Sequence, residues 1–158
     1  MIGAWRRVQR WLSSTSNRTF ALWPITLLAA EAVGQQGAPQ VNFWGLPFLA
    51  WGYLQYRLVG IYRLREGGGG PGISNPPERL VTGGPYRCCR NPMYLGHLIF
   101  LAGLALALQS WLAAAVLAVH AAWFDARVRE DETRLAVLFG EPYRDYQARV
   151  KRWIPGLL

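Results

Sequence analysis

Lysine is almost missing from this chain: one stands beside sixteen arginines, and nine acidic residues oppose those 17 bases. The glycine-rich run REGGGGPGISNPP, Arg65 to Pro77, has no lysine-serine pair behind its glycines. A P-loop needs that pair to hold phosphates, so no Walker-type site is expected. Cysteine is equally scarce: Cys88 and Cys89 are the two present, and they are adjacent. Adjacent cysteines build no disulfide framework, and with no further ligands beside them no metal site is expected. Charge of either sign is missing from His97 through Phe124, 28 residues in a row. Apolar residues gathered in such blocks argue for a bilayer over a soluble core.

What is present has the same tendency. Of the 158 residues 52% are hydrophobic and eight are tryptophan, and the length suits one domain. Four membrane segments are expected: Phe20 to Val33, Phe43 to Tyr62, Met93 to Leu108 and Trp111 to Phe124. The first is short and holds Pro24 and Glu31. The last two are separated only by Gln109-Ser110, which predicts a tight helical hairpin. The bases fall in three zones, Arg6 to Arg18, Arg57 to Arg90 and Arg127 to Arg152, whereas Gly34 to Asn42 and Gln109-Ser110 carry no charge. By the positive-inside rule both termini and the central loop are cytosolic, and the location expected is a bacterial inner membrane. The net charge of +8 is then topology, and no basic face for nucleic acid is found. The N-terminus also admits a signal-peptide reading, with Arg6, Arg7 and Arg10 before an apolar core from Phe20 to Leu28. The long basic region and Pro24 count against it. Trp5, Val8, Trp11 and Leu12 recur at helical spacing between arginines, as in an interfacial anchor helix.

The junction GPYRCCRNPMYLG, Gly84 to Gly96, puts an arginine, an asparagine and two tyrosines where the chain enters its apolar hairpin. Polar groups at such a boundary mark a site. Pro92 suits the first turn of a helix and Asn91 its N-cap. Tyr94 and His97 share a helix face, and Gly96 permits a close helix or ligand approach. The fourth segment, with His120 at its middle, is expected to run on as a charged helix with the pairs Asp125–Arg129 and Glu130–Arg134, ending at Gly140. Tyr143, Tyr146, Val150 and Trp153-Ile154 then predict a second amphipathic helix packed on the membrane surface by its aromatic face. The Gly/Pro-rich loop before the junction is either a linker or a cover over a cytosolic pocket.

The series LVTGGPYRCCRNPMYLG, an acidic cluster, and LFGEPYRDYQARVKRWIP resembles the isoprenylcysteine carboxyl methyltransferases and the related phospholipid N-methyltransferases, over Pro76 to Pro155. The resemblance implies an all-α polytopic membrane protein of about four transmembrane helices, whose cytosolic C-terminal helices form a pocket for S-adenosylmethionine. It implies one domain, residues 1–158, with 1–75 as the N-terminal membrane half and glycine-rich loop and 76–158 as the cofactor-binding half. The substrate would be lipophilic and arrive from the bilayer. The family's RHPxYxG motif falls on Arg90, Asn91, Pro92, Tyr94 and Gly96, with Asn91 in place of histidine. Its acidic pair falls on Asp131 and Glu132, with Glu130 as the alternative register, and its C-terminal aromatics fall on Tyr143 and Tyr146.

On that basis Glu132 would pair with the cofactor's ammonium and Arg90 with its carboxylate. Tyr94 or Tyr86 would face the sulfonium, and Leu80, Val81 and Gly84 would bound the adenine. Arg90, Tyr94, His97 and Glu132 are the expected catalytic set, with His97 gaining a proton-accepting role if the acceptor is an amine. O-methylation of a carboxylate leads, N-methylation of an amino phospholipid and S-methylation of a thiol being the alternatives. A nicotinamide-dependent membrane reductase and a non-catalytic scaffold are the competing classes. Oligomeric state is open.

Overall fold

A computed structural model describes residues 2–34, 41–70 and 75–153. Every regular element among the described residues is helical. Helix α1, Ile2–Ser13, exposes Trp5, Trp11 and Leu12. A single turn, α2 (Thr15–Asn17), leads through a π-helical stretch, Arg18–Leu22, into α3, Trp23–Gly34. The widened turn sits immediately before Pro24, whose ring in a regular helix would press on the carbonyl four residues back. The chain thus stays helical across a proline that breaks up its apolar pattern.

Asn42 opens the next element by accepting a hydrogen bond from the Trp44 amide on Oδ1 at 3.0 Å, and Phe43–Gly45 makes a 3-10 turn into α4, Leu46–Gly67. Helix α4 runs five residues past the expected end at Tyr62, so Arg65 and Glu66 are helical, not loop. Both are good helix formers, and the stop comes where Gly68 takes a φ of 69°. Residues 71–74 of the glycine-rich run, and most of the uncharged Gly34–Asn42 connection, lie outside the described residues. A 3-10 turn at Gly84–Arg87 precedes α5, Pro92–Leu108. Gln109 turns the chain in the left-handed region, and Ser110 Oγ accepts from the Ala113 amide to start α6. That helix, Trp111–Phe139, is one rod of 29 residues, about 43 Å at 1.5 Å per residue. Gly140 then admits α7, Glu141–Arg149.

The expected second amphipathic helix is shorter than its spacing promised. Val150 is extended at φ −113°, so Val150 and Trp153 lie beyond α7, and Ile154 falls outside the described residues. Nor does the aromatic face of α7 point outward: Tyr143 and Tyr146 are buried.

Two clusters hold the helices. Leu27, Leu101, Leu104, Leu108, Ala113 and Val116 join α3, α5 and α6, and Tyr94, Phe124 and Val128 join α5 to the middle of α6. Helices α4 and α5 touch backbone to backbone at glycines: Gly45 lies against Gly103 and Ala107, and Gly52 against Gly96 and Phe100. Among the described residues α6 is long and apolar enough to cross a membrane, and α5 is apolar but shorter. Arginines in the distal half of α4 and the 12-residue length of α3 keep those two below that measure.

Candidate functional site

The polar junction folds into one wall of a cavity of about 450 Å³ between the end of α4, the turn 80–91, the start of α5, the distal half of α6 and α7. Nine expected residues line it: Leu80, Val81, Tyr86, Arg90, Asn91, Tyr94, Asp131, Tyr143 and Tyr146. Gly84, Pro92, Gly96, Glu130 and Glu132 do not. Gly84 is packed on the Tyr62 ring, and Gly96 is spent on the contact with α4. Glu130 is exposed beside Arg134. His97 is off the cavity as well, enclosed by the rings of Phe20, Tyr56 and Phe124.

The three neighbouring acids divide by helix geometry. At about 100° per residue, successive side chains leave an α-helix in different directions. Glu130 faces out and Asp131 faces the cavity, where its Oδ2 accepts a 2.7 Å bond from the Tyr94 hydroxyl. Glu132, 5% exposed, turns inward to two guanidinium groups. Arg90 reaches its Oε1 through Nε at 3.0 Å and Nη2 at 2.9 Å, and Arg152 reaches its Oε2 through Nη2 at 2.8 Å. The two residues expected to share a cofactor's ammonium and carboxylate are therefore paired with each other.

Arg152 and the tail around it were not in the expected set. Arg90 Nη1 donates to the carbonyls of Gln147 and Val150, and the Arg90 amide donates to the carbonyl of Lys151. Asn91 occupies the N-cap position without capping: its Nδ2 donates instead to the Arg152 carbonyl at 3.3 Å and Glu132 Oε1 at 3.4 Å. Trp153 Nε1 donates to Asp125 at 3.0 Å. The junction and the C-terminal tail are thus one hydrogen-bonded unit that fixes the cavity floor.

Tyr146 donates its hydroxyl to the Tyr86 carbonyl at 2.7 Å, locking α7 to the 3-10 turn. Burial raises the phenols of Tyr86, Tyr143 and Tyr146 well above the usual tyrosine range, so all three stay neutral. Burial likewise pushes the Cys89 thiol up to about 11. Its sulfur donates to the Arg152 carbonyl and accepts from the Asn91 amide, each at 3.3 Å. Thiolate is the reactive form, so maleimide at neutral pH should label exposed Cys88 alone in the native protein and both cysteines after denaturation, read by mass spectrometry.

Other residues the sequence reading missed are Arg63, Asn75, Pro76, Pro77, Met93, Arg134, Leu135, Val137 and Leu138. Leu135 and Leu138 had a signal, since they lie four and seven residues after Asp131, on its helix face. Arg63 had none. It comes from α4, outside the resembling stretch, and its Nη1 and Nη2 donate to the carbonyls of Asn75 and Gly70 at 2.8 Å each.

Among the described residues, then, helices alone frame a cavity at the root of the apolar hairpin, with four tyrosines and three arginines in its lining. Residues 70–141 match the family described as phospholipid methyltransferase. The cobalt-zinc-cadmium resistance protein CzcN of Cupriavidus metallidurans is 37% identical over 79 residues, 49% of this chain and 36% of that protein. The protein-S-isoprenylcysteine O-methyltransferase of Mus musculus is 37% identical over 77 residues, 48% of this chain and 27% of the enzyme. The Schizosaccharomyces pombe protein of the same name is 30% identical over 82 residues, 51% of this chain and 35% of that one. Through this segment the chain is similar to the phospholipid and isoprenylcysteine methyltransferases. It spans about a third of the length of these curated relatives.

Proposed function

We infer that the protein transfers a methyl group from S-adenosylmethionine to a lipophilic acceptor. The observation that carries this reading is the lining of the cavity within the family segment. One carboxylate, Asp131, stands beside Tyr94, with three neutral phenols, three guanidinium groups and the apolar side chains of Leu80, Val81, Leu135 and Leu138. Its volume is in the range of small-molecule sites, about 300–1,000 Å³. Those residues fit a ligand that carries a cationic amine, a sulfonium, a carboxylate and a flat base. Asp131 takes the ammonium, and the exposed Arg134 takes the carboxylate, because Arg90 is engaged by Glu132 and Arg63 by the Asn75 and Gly70 carbonyls. Tyr86, Tyr143 and Tyr146 offer ring faces to the sulfonium, and Leu80 with Val81 bounds the base. When bound, the cofactor supplies an electrophilic methyl. The protein's part is to align that methyl with the nucleophile and keep water out.

The acceptor we favour is a carboxylate. Arg63, Arg90 and Arg134 outnumber Asp131 in the lining, and two of the similar proteins are named as O-methyltransferases of isoprenylcysteine. Amine and thiol acceptors remain the alternatives, because likeness of fold does not fix substrate. We place α3 to α6 across the bacterial inner membrane with both termini cytosolic. The exposed Phe48, Trp51, Leu58 and Ile61 of α4 and Trp111, Leu112 and Val119 of α6 support that placement as a lipid-facing surface. The whole of 1–158 then works as one domain, its 76–158 half carrying most of the cofactor contacts.

Calorimetric titration of the detergent-purified chain tests the reading. S-adenosylhomocysteine should bind saturably at micromolar concentration, and reduced nicotinamide dinucleotide phosphate should not bind. Asp131→Asn should weaken the first at least tenfold, about 1.4 kcal/mol, with the melting temperature unchanged. Binding of the nicotinamide alone would make the protein a reductase, and binding of neither would make it a scaffold.

A further inference from the structure

Helix α1 has two unlike faces. Counted at about 100° per residue, Trp5, Trp11 and Leu12 fall within about 120° of one another, and Arg6 and Arg7 lie on the other side. All five are exposed, Trp5 by 66%, and neither apolar cluster takes a residue from α1. Ser14, extended at ψ 119°, separates α1 from the turn that follows. The Asn17 side-chain amide donates to the Trp11 carbonyl at 3.1 Å and the Ser14 amide to the same carbonyl at 3.3 Å. Helix α1 therefore meets the next helix at a corner and does not prolong the first apolar segment.

Two contacts fix the level of that corner. The Arg18 guanidinium stands 5.3 Å from the centre of the Trp123 ring, and Trp123 is one residue short of Phe124, where the uncharged run ends. Further along the first segment, Trp23 donates to His120 at 3.1 Å, back along α6 from Trp123. The first segment thus enters the apolar layer at the level where α6 leaves it. Helix α1 lies outside that level, on the side of the cavity, which takes its α6 lining from Asp131 onward. Charge then names the partner. Arg6, Arg7, Arg10 and Arg18 all precede the first acidic residue, Glu31. The exposed arginines of α6 and α7 instead have acids beside them, Arg129 with Asp125, Arg134 with Glu130 and Arg144 with Glu141.

We propose that α1 is a docking helix for anionic phospholipid headgroups, with its guanidinium groups on the phosphates and Trp5 and Leu12 in the upper acyl layer. A soluble acidic partner would leave the tryptophans in water, and a zwitterionic surface would leave the positive charge uncompensated. The helix thereby distinguishes an anionic leaflet from a neutral one and holds the cavity against it. This rests on the membrane placement of α3 to α6 and is independent of the methyl donor.

The test uses the full chain in lipid nanodiscs of phosphatidylcholine, with or without phosphatidylglycerol. Leu12→Cys carries an environment-sensitive bimane label, in a Cys88→Ser background that removes the exposed native thiol. Label emission should shift to the blue and be quenched by nitroxide-bearing lipid in the anionic discs, and do neither in the neutral ones. A guanidinium near an anionic surface favours docking about fivefold, so Arg6→Gln with Arg7→Gln should lower the docked-to-free ratio about 25-fold. High salt should act in the same direction. Equal emission in the two lipids, or a shift that survives the double substitution, would overturn the assignment while leaving the chain in the discs. Failure of the chain to enter discs of either composition would overturn the membrane placement, and this inference with it.

Discussion

Replacing Glu132 with glutamine should destabilise the protein by about 3–5 kcal/mol, the usual result of removing one partner from a buried ion pair. Arg90 and Arg152 both depend on this carboxylate, and side-chain exposure is 11% for Arg90 and 6% for Glu132. With the charge gone, Arg152 would keep only Asp125, whose nearest contact is 3.7 Å, and Arg90 would keep only carbonyls. The tail that these arginines pin would come loose, and with it α7 and its tyrosines. Denaturant unfolding in micelles should therefore show a lower midpoint, and donor affinity should fall as a consequence. Asp131→Asn separates the two roles, since it should lower affinity and spare the midpoint. The reverse outcome, an unchanged midpoint for Glu132→Gln with a tenfold loss of donor affinity, would put Glu132 in direct contact with the ligand.

This division between neighbouring acids shows how far the sequence could be read. Local chemistry was legible: Pro92 starts a helix, Gly140 ends one, and Gln109-Ser110 makes the hairpin turn. So was the grouping of Arg90 and Tyr94, because each lies within a few residues of the start of α5. What a motif does not carry is direction. Residues 130 to 132 span about 200° of helix circumference, and only packing decides which of the three meets the cavity. Long-range partners were invisible for a related reason. Arg63 joins the cavity from α4, and Arg152 joins Glu132 behind it from beyond a helix whose length the aromatic spacing overstated. Neither has a neighbour in sequence that would mark it. His97 misled for the opposite reason. It shares a helix face with Tyr94, as expected, yet one further turn carries it past the cavity wall into a shell of rings.

Gly52→Val should be more damaging to function than its distance from the cavity implies. A Cβ on Gly52 would come within 2.5 Å of the Phe100 amide nitrogen and 2.7 Å of the Gly96 carbonyl oxygen. Both are helix backbone, which cannot rotate aside, so α4 would have to lift off α5 along its length. Overpacking of this kind costs about 1–3 kcal/mol, and the upper figure is expected where no flexible side chain can yield. Arg63 rides on the same helix, eleven residues on, and its anchors on the Asn75 and Gly70 carbonyls would shift with it. The variant should thus lose donor affinity as well as thermal stability. Gly60→Ala on the same helix is the control. Its Cβ would meet only Met93 Cε, at 3.5 Å, an ordinary contact. Alanine favours the helix over glycine by about 1 kcal/mol, so this variant should melt no lower than wild type. If Gly52→Val melted like Gly60→Ala, the close packing of α4 on α5 would be wrong, and with it the route by which Arg63 reaches the site.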